Sequence, residues 1–303
     1  MAFSVESPPA GQPKSGRRLS AFLYRHPRFR LGALLSAPLV WFFAIYLVAL
    51  SLLFLAAFWQ QDSFTSQLIK DEFSLDTVKD VFSSPVYQKL ALRTIGVAVL
   101  VTLFCILLGV PVALYAAKIA TPRVRRLLIV LFLVPLWASY LVKAYAWRGL
   151  LSEEGGVISW ALDPVGIKGP GYGYWAIVIV LTYLWLPFMI LPVYASLDRL
   201  PNSLIDASGD LGAKGGRTFY SVVLPIILPG IAAGSIFTFS LSMGDYIAVQ
   251  LVGGDLQLLG NAIYTNIAGG GNTPLGAALA LISVLVIVIY MLLVRRTGAL
   301  KEL

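Results

Sequence analysis

The sequence predicts an all-α polytopic membrane protein with six transmembrane helices, and three observations support this fold class. Hydrophobic residues make up 58% of the 303 residues and charged residues only 13%, and the mean hydropathy is +0.81. The apolar residues fall into six blocks, and each block has the roughly 20 residues that a bilayer span needs. Basic residues cluster at the ends of these blocks. A soluble globular domain has neither this composition nor this pattern.

Each block is almost free of charge across its middle. The first block lies too far from the N-terminus for a secretory signal, and no small-residue cleavage site follows it, so we interpret it as a retained span. The second block holds the single cysteine, Cys105, and an intrachain disulfide is therefore impossible. The six predicted spans, in chain order, are Leu34–Trp59, Ala91–Ala117, Leu127–Trp147, Tyr174–Leu197, Pro225–Gln250 and Leu275–Val294.

The net charge of +8 is placed at membrane edges, which argues against nucleic acid as a partner. Lys and Arg flanking a span mark its cytoplasmic side. The connection after the fifth block has no basic residue, whereas the N-terminal segment, the connection after the second block and the C-terminal tail are basic. These bases are Arg17, Arg18, Arg25, Arg28, Arg30, Lys118, Arg123, Arg125, Arg126, Arg295, Arg296 and Lys301. Both termini are therefore predicted to be cytoplasmic.

The chain is divided into a tail and a transmembrane domain. Residues 1–30 are predicted to be a cytoplasmic tail, because the first twenty are rich in Ser, Pro, Gly and Arg. The aromatic and basic stretch Ser20–Arg30 is either a short interfacial helix on anionic lipid or a simple flank of the first span. Residues 31–303 form the six-span domain, with a cytoplasmic loop at about 198–224.

Enzymatic functions are disfavoured by the residues that are missing. The only histidine, His26, lies in a basic flank, so neither a two-histidine metal site nor a Ser-His-Asp arrangement can be built. The stretch "GAKGGRTF" (Gly212–Phe219) lacks the Gly-Lys-Ser/Thr order of a phosphate-binding loop. The sequence therefore does not predict an enzyme, and if ATP powers transport here, its hydrolysis would need another subunit.

The polar stretch "LIDASGDLGAKGG" (Leu204–Gly216) interrupts the apolar sequence before the fifth block. Ser203 and Asp206 have the spacing of a capping box at a helix start, and Gly212 stands where a helix C-cap glycine belongs. The stretch therefore predicts two short helices with a glycine corner between them.

One face of this stretch has the features of a docking surface. Leu204, Ala207 and Leu211 form an apolar stripe, and the small residues Ser208 and Gly209 would let another protein approach closely. On geometry alone, an ordinary interfacial loop explains the same features.

The segments "DASGDLGA" and "LPIILPGI" resemble the EAA-type signature of permease subunits in binding-protein-dependent ABC importers. Asp206, Ala207 and Ser208 match its acidic-small-small triplet, Gly212 matches its glycine, and Leu224-Pro225 matches the later pair. Asp replaces the usual Glu and Ser the second Ala, which keeps charge and size. The resemblance implies the type I ABC importer permease fold. It also implies that residues 198–224 couple to an ATPase, with Asp206, Ala207, Ser208, Leu211 and Gly212 as the coupling residues.

The same resemblance implies the partners. They are a cytoplasmic ATPase dimer, a second permease subunit, an extracytoplasmic solute-binding protein and membrane lipid, without nucleic acid. The second permease subunit is expected to be a paralogue, with a second copy of this chain as the alternative. ATP and Mg would be bound by the partner ATPase, and no cofactor is expected in this chain. The expected location is the cell inner membrane.

Three further segments are similar to the spermidine/putrescine permease branch: "VPLWASYLVKAYAW", "MGDYIAVQLVGG" and "GNAIYTNI…NTPLGAALAL". They imply a polyamine substrate, with another small solute (opine-like, phosphonate or amino-acid-like) as the alternative. An ion-coupled secondary transporter with discontinuous helices at Pro187–Pro192 and Pro225–Pro229 is the other alternative. The scarcity of ionisable groups within the spans and the absence of an inverted repeat count against it.

Candidate substrate-path residues come from the third and fifth blocks. Trp137, Tyr140 and Tyr145 could hold ammonium groups by cation–π attraction or belong to an interfacial aromatic belt. Asp245 is the one carboxylate inside any apolar block. It either lines the path for a cationic amine, or caps or pairs locally with Lys143 or a backbone amide.

Overall fold

The computed structural model describes residues 27–62, 67–69, 73–166 and 169–295. Most of the predicted tail, residues 1–26, lies outside this range, and so do the last eight residues of the chain. The chain divides into two compact units, Met1–Leu55 and Ala56–Leu303.

The first unit contains the first predicted span. A helix, Pro27–Phe42, continues through a π-helical turn, Phe43–Leu47, into a helix that covers Val48–Ala56. The segment Pro38–Ala56 is long and apolar enough to cross a membrane. The first predicted span is thus confirmed.

The described part of the second unit holds four helices that are long and apolar enough to cross a membrane, and two helices that together form a bent pair. Counting the bent pair as one span, the structure has the six predicted spans. The second to sixth spans are Pro85–Ile119, the pair Pro122–Trp137 and Tyr140–Leu151, Tyr174–Arg199, Gly215–Gly244 and Thr273–Arg295.

The third span is not the single helix that was predicted for Leu127–Trp147. Its two halves are bent by 97°, because Ala138 and Ser139 have extended backbone between them. The Lys143 Nζ donates a hydrogen bond to the Pro135 carbonyl at 2.9 Å and so satisfies one of the carbonyls that lack a helical partner at the end of the first half. Hydropathy averaged over about 20 residues cannot detect a break this short.

The fifth span also differs from the predicted Pro225–Gln250. Its helix begins ten residues earlier, at Gly215, and ends at Gly244. Asp245 has extended backbone, with ψ 126°, and a separate short helix, Ile247–Val252, follows. Since the apolar character continues past Asp245, the break is invisible in the hydrophobic pattern.

The core of the second unit lies where the second, fourth and fifth spans pack against one another. Small residues allow this close packing, as is usual between helices in membranes. A Cβ atom added to Gly109 would lie 3.0 Å from Met189 Cγ, and one added to Gly234 would lie 2.8 Å from Met189 Sδ. These two glycines let the second and fifth spans approach the fourth.

Shorter elements join the spans. They are a two-stranded hairpin, Gln60–Gln61 with Leu68–Ile69, and the helices Asp76–Ser83, Val157–Leu162, Asp163–Val165 (3-10), Asn202–Asp210, Ile247–Val252 and Leu259–Ile267. We call Asn202–Asp210 the connecting helix. It precedes the fifth span, whose 30 residues measure about 45 Å at a rise of about 1.5 Å per residue. The connecting helix and Asp245 therefore lie at opposite ends of that span.

Candidate functional site

The connecting helix begins without the predicted capping box. Its N-cap residue is Pro201, with extended backbone, and no side chain caps it. Because the helix starts at Asn202, Ser203 lies inside the first turn rather than at the cap position. The capping role predicted for Ser203 with Asp206 is therefore wrong.

The glycine corner at the other end of the connecting helix is confirmed. Gly212 has a φ of +78°, the left-handed conformation typical of a residue that follows a helix. Its amide donates to the Gly209 carbonyl at 2.8 Å, and the Ala213 amide donates to Ser208 at 3.1 Å. The Ser208 hydroxyl also lies 3.1 Å from the Thr218 hydroxyl, which ties the connecting helix to the first turn of the fifth span.

One side of the connecting helix is anchored and the other is open. Ile205 packs against the core of the second unit. The predicted stripe points away from it, with Leu204 46% exposed and Leu211 89% exposed. Ala207, the third member of the stripe, is exposed as well, and so is the neighbouring Asp206. The structure thus presents apolar and small side chains on a surface that nothing in the described chain covers.

Two basic residues from neighbouring spans hold the chain just before the connecting helix. Lys118 Nζ donates to the Leu200 carbonyl at 2.5 Å and to Asn202 Oδ1 at 3.1 Å. The Arg125 guanidinium forms an ion pair with Asp198. In the sequence both bases indicate only the topology, and their contacts could not be predicted, because positive charge at a membrane edge requires no partner in the fold.

A cleft lies at the opposite end of the fifth span, and two of the predicted path residues, Tyr140 and Asp245, line it. The Tyr140 hydroxyl donates to Asp245 Oδ2 at 2.5 Å, and Trp185 stacks on the Tyr140 ring at 5.9 Å between centroids. The cleft has a volume of about 290 Å³. Its lining residues are Tyr140, Trp185, Ser240, Leu241, Gly244, Asp245, Tyr246 and Ile247.

Asp245 also has a local structural contact. Its Oδ1 accepts a hydrogen bond from the Ala248 amide at 2.9 Å, which caps the short helix Ile247–Val252. The suggested pairing with Lys143 is not observed, because the Lys143 ammonium bonds to the Pro135 carbonyl. Lys143 is not among the cleft residues, so the charged group of the cleft lining is the Asp245 carboxyl.

The other two predicted path residues lie elsewhere. Trp137 is 89% exposed and Tyr145 is 56% exposed, and neither lines the cleft. The bend in the third span separates Trp137 from Tyr140. Tyr145 lies in the same helix as Tyr140 but five residues later, which places it about 140° around the helix axis and away from the cleft. The structure therefore brings together Tyr140 and Asp245 only.

Two aromatic residues that no sequence motif marks, Trp185 and Tyr246, complete the cleft. Trp185 comes from the fourth span, and among the described residues its buried Nε1 has no hydrogen-bond partner. Tyr246 stacks on Tyr264 at 4.4 Å between ring centroids. Each residue lies far along the chain from Tyr140, and an aromatic residue in an apolar span is too common to be a signal by itself.

Comparison with known proteins identifies the family. The model of the family described as "Binding-protein-dependent transport system inner membrane component" matches residues 98–298. The inner membrane ABC transporter permease protein YdcU of Escherichia coli (strain K12) is 39% identical over 318 residues, with 100% of both chains covered. The spermidine/putrescine transport system permease protein PotB of the same strain is 32% identical over 242 residues, which cover 78% of this chain and 86% of PotB.

Solved structures show the same fold. A chain of a bacterial ABC transporter involved in the import of the acidic polysaccharide alginate matches with a TM-score of 0.70 at 17% identity, covering 92% of this chain and 97% of that one. A chain of the MetNI methionine ABC transporter matches with a TM-score of 0.55 at 19% identity, covering 71% and 96%. The EAA-like corner, the six spans and the similarity to these relatives all agree. The chain therefore belongs to the family of inner membrane components of binding-protein-dependent transport systems and is a multi-pass permease subunit of an ABC importer.

Proposed function

We propose that this permease moves a polyamine such as spermidine or putrescine from a solute-binding protein into the cytoplasm. The observation that carries the proposal is the Asp245 carboxyl in the wall of an aromatic cleft, beside Tyr140 and Trp185. Carboxylates form strong charge-assisted hydrogen bonds with ammonium groups, and aromatic faces attract cations. The resemblance to PotB, whose name gives spermidine and putrescine as the cargo, supports the same substrate class.

The Asp245 carboxyl also favours a polyamine over the alternative solutes. A phosphonate or another anion would meet the Asp245 carboxyl without a compensating base, since the nearby Lys143 ammonium bonds to the Pro135 carbonyl. An opine-like or amino-acid-like solute presents one ammonium together with carboxylates, so its net attraction to the cleft is weaker. A cation with no negative group suits this lining best.

On the other side of the membrane, the connecting helix is the proposed contact for a separate ATPase dimer. Leu211 and Ala207 supply exposed apolar and small contacts, with Asp206, Ser208 and Gly212 around them. In this arrangement ATP and Mg are bound by the ATPase, and this chain carries no cofactor. The second permease subunit is a paralogue, and residues 198–224 and both termini face the cytoplasm.

The geometry provides a route from ATP to the cleft. When the ATPase subunits close, the connecting helix moves, and the Gly212 corner and the Ser208–Thr218 contact pass this movement to the fifth span. The far end of that span carries Asp245. A displacement at one end of a continuous helix therefore changes the cleft at the other, which is how binding of the solute could alternate between the two sides.

Uptake by whole cells tests the proposed substrate. A strain lacking this gene should take up labelled spermidine or putrescine more slowly than its parent, and the gene in trans should restore uptake. Uptake of a labelled phosphonate serves as the control and should not change. Equal polyamine uptake in both strains would contradict the substrate, and polyamine uptake that persists without the ATPase would contradict the ABC mechanism.

A further inference from the structure

We infer that Lys118 is a positioning residue that fastens the start of the connecting helix to the end of the second span. The inference rests on the proposed role of the connecting helix as the ATPase contact. It assigns to one of the bases near the facing ends of the second and third spans a task beyond setting the topology.

The contacts of Lys118 bridge two elements that are far apart in the sequence. Lys118 lies in the last π-helical turn of the second span, Tyr115–Ile119. Its Nζ bonds to the carbonyl of Leu200, which follows the fourth span, and to the side chain of Asn202, which begins the connecting helix. We call Leu200–Asn202 the joint. Leu200 is only 2% exposed, so water has little access to replace the ammonium at the Leu200 carbonyl, whereas Asn202 is exposed.

The joint needs a side chain because its own backbone supplies few bonds. Pro201 stands in its middle and has no N–H to donate. The last carbonyls of a helix lack helical partners and carry partial negative charge that favours a cation. One ammonium has three N–H donors, so Lys118 can hold the acceptors on both sides of Pro201 at once.

A second base strengthens the preceding turn. Arg125, near the start of the third span, donates from Nε to the Tyr194 hydroxyl at 2.5 Å. Its guanidinium also pairs with Asp198. Arg125 thus holds the last turns of the fourth span, while Lys118 holds the joint itself.

The Lys118 contacts determine which spans move when the connecting helix is displaced. The second span packs against the fourth and fifth spans in the core. With Lys118 in place, a displacement of the connecting helix moves the second span directly, and not only the fifth span that follows it in the chain. The ends of these spans and the connecting helix then move as one body.

Hydrogen exchange on the purified full-length permease tests the tie without any ATPase. In Lys118→Met, exchange of the helical amides at residues 206–210 should become about 10-fold faster, the factor expected when one hydrogen bond from a charged donor is lost. Arg126→Met is the matched control, because it removes one charge from the same basic segment of the chain, Lys118–Arg126, and the Arg126 Nε bonds to Pro122 within its own helix. Lys118→Arg should restore slow exchange. Asn202→Ala, which removes an acceptor and keeps the charge, should accelerate exchange as well.

The second readout is the number of solute molecules transported per ATP hydrolysed by the complete reconstituted importer. This ratio should fall at least several-fold in Lys118→Met and stay unchanged in Arg126→Met. Unchanged exchange in both Lys118→Met and Asn202→Ala would show that the tie does not exist. Faster exchange with a normal transport ratio would overturn the positioning role, provided that Gly212→Leu lowers the ratio. If Gly212→Leu leaves the ratio normal too, the proposed function of the connecting helix has failed instead.

Discussion

At the scale of single residues, Asp245 combines a structural and a proposed functional contact. Its Oδ1 caps a short helix through the Ala248 amide, and its Oδ2 accepts from the Tyr140 hydroxyl. A charged side chain at the centre of a membrane-spanning helix costs about 2.5–3.5 kcal/mol on insertion scales, and a smaller cost applies to Asp245 just after the end of the fifth span. Hydrogen bonds to both oxygens offset part of this cost and still leave the carboxyl in the cleft wall.

Asp245→Asn separates the two contacts. Asn keeps an oxygen for the Ala248 amide but removes the charge, so the short helix should stay capped while attraction for an ammonium group is lost. We expect polyamine uptake to fall on the order of 10-fold or more, as for the loss of a hydrogen bond between charged groups. Protein level and ATPase assembly should stay normal. Tyr140→Phe, which keeps the ring, should have a smaller effect. Unchanged uptake, or failure of the protein to accumulate, would show that Asp245 is not a substrate residue.

Gly212 is the second residue whose role can be tested by one change. Gly212→Leu places a side chain at a φ of +78°, which costs roughly 1–2 kcal/mol in the left-handed region. No atom lies within 4 Å of an added Cβ, so the effect comes from the backbone and the exposed surface. We expect co-purification of the ATPase and transport-linked ATP hydrolysis to fall, with normal insertion. Gly212→Asn is the control, because Asn tolerates this conformation. Normal values in the Leu variant would exclude the corner from coupling.

At the scale of elements, breaks in the apolar blocks create the cleft. The third span bends by 97°, which places Tyr140 at the start of its second half. The fifth span stops at Gly244, and Asp245 then turns toward the Tyr140 hydroxyl. Two straight helices through these blocks would leave both polar groups in separate apolar surroundings. The breaks in the third and fifth apolar blocks therefore bring Tyr140 and Asp245 together.

Close packing between the fourth and fifth spans depends on Gly234. A Cβ atom there would lie 2.8 Å from Met189 Sδ and 3.0 Å from Met189 Cα, and backbone cannot move away as easily as a side chain. Gly234→Ala should therefore destabilise the protein by about 1–3 kcal/mol, as overpacking does elsewhere, and lower its thermal unfolding temperature in detergent. The matched control is Gly96→Ala in the second span, where the nearest atom is the Tyr174 hydroxyl at 3.6 Å. Equal unfolding temperatures for the two variants would show that this approach is not limiting.

At the scale of the whole molecule, the testable property is its orientation in the membrane. The cysteine content helps, because the single Cys105 is fully buried and should not react with a membrane-impermeant maleimide. Ala268→Cys, in the exposed connection before the sixth span, should be labelled from outside intact cells. Gly215→Cys, at the exposed start of the fifth span, should be labelled only after the cells are opened. The opposite pattern would overturn the positions of both termini and of the proposed ATPase contact.

Much of this architecture follows from the sequence alone. Blocks of about 20 apolar residues determine the number of spans, since unpaired backbone groups are costly in lipid and each block must satisfy its own hydrogen bonds as a helix. The glycine corner was also predictable, because a residue in the left-handed region after a helix is usually glycine, and Gly212 occupies that position. Both features depend on neighbours in the chain.

The site depended on tertiary structure instead. Tyr140 and Trp185 lie on the third and fourth spans, and Asp245 directly follows the fifth. The bend that brings the Tyr140 hydroxyl to Asp245 cannot be detected in an averaged hydrophobic pattern. From the sequence, Lys118 likewise indicates only the topology. Its contacts with Leu200 and Asn202 exist because the fold places these distant residues next to it. Local pattern specifies which segments become helices, because helical hydrogen bonds are local. Contacts between helices depend on packing over the whole chain, which only the tertiary structure decided.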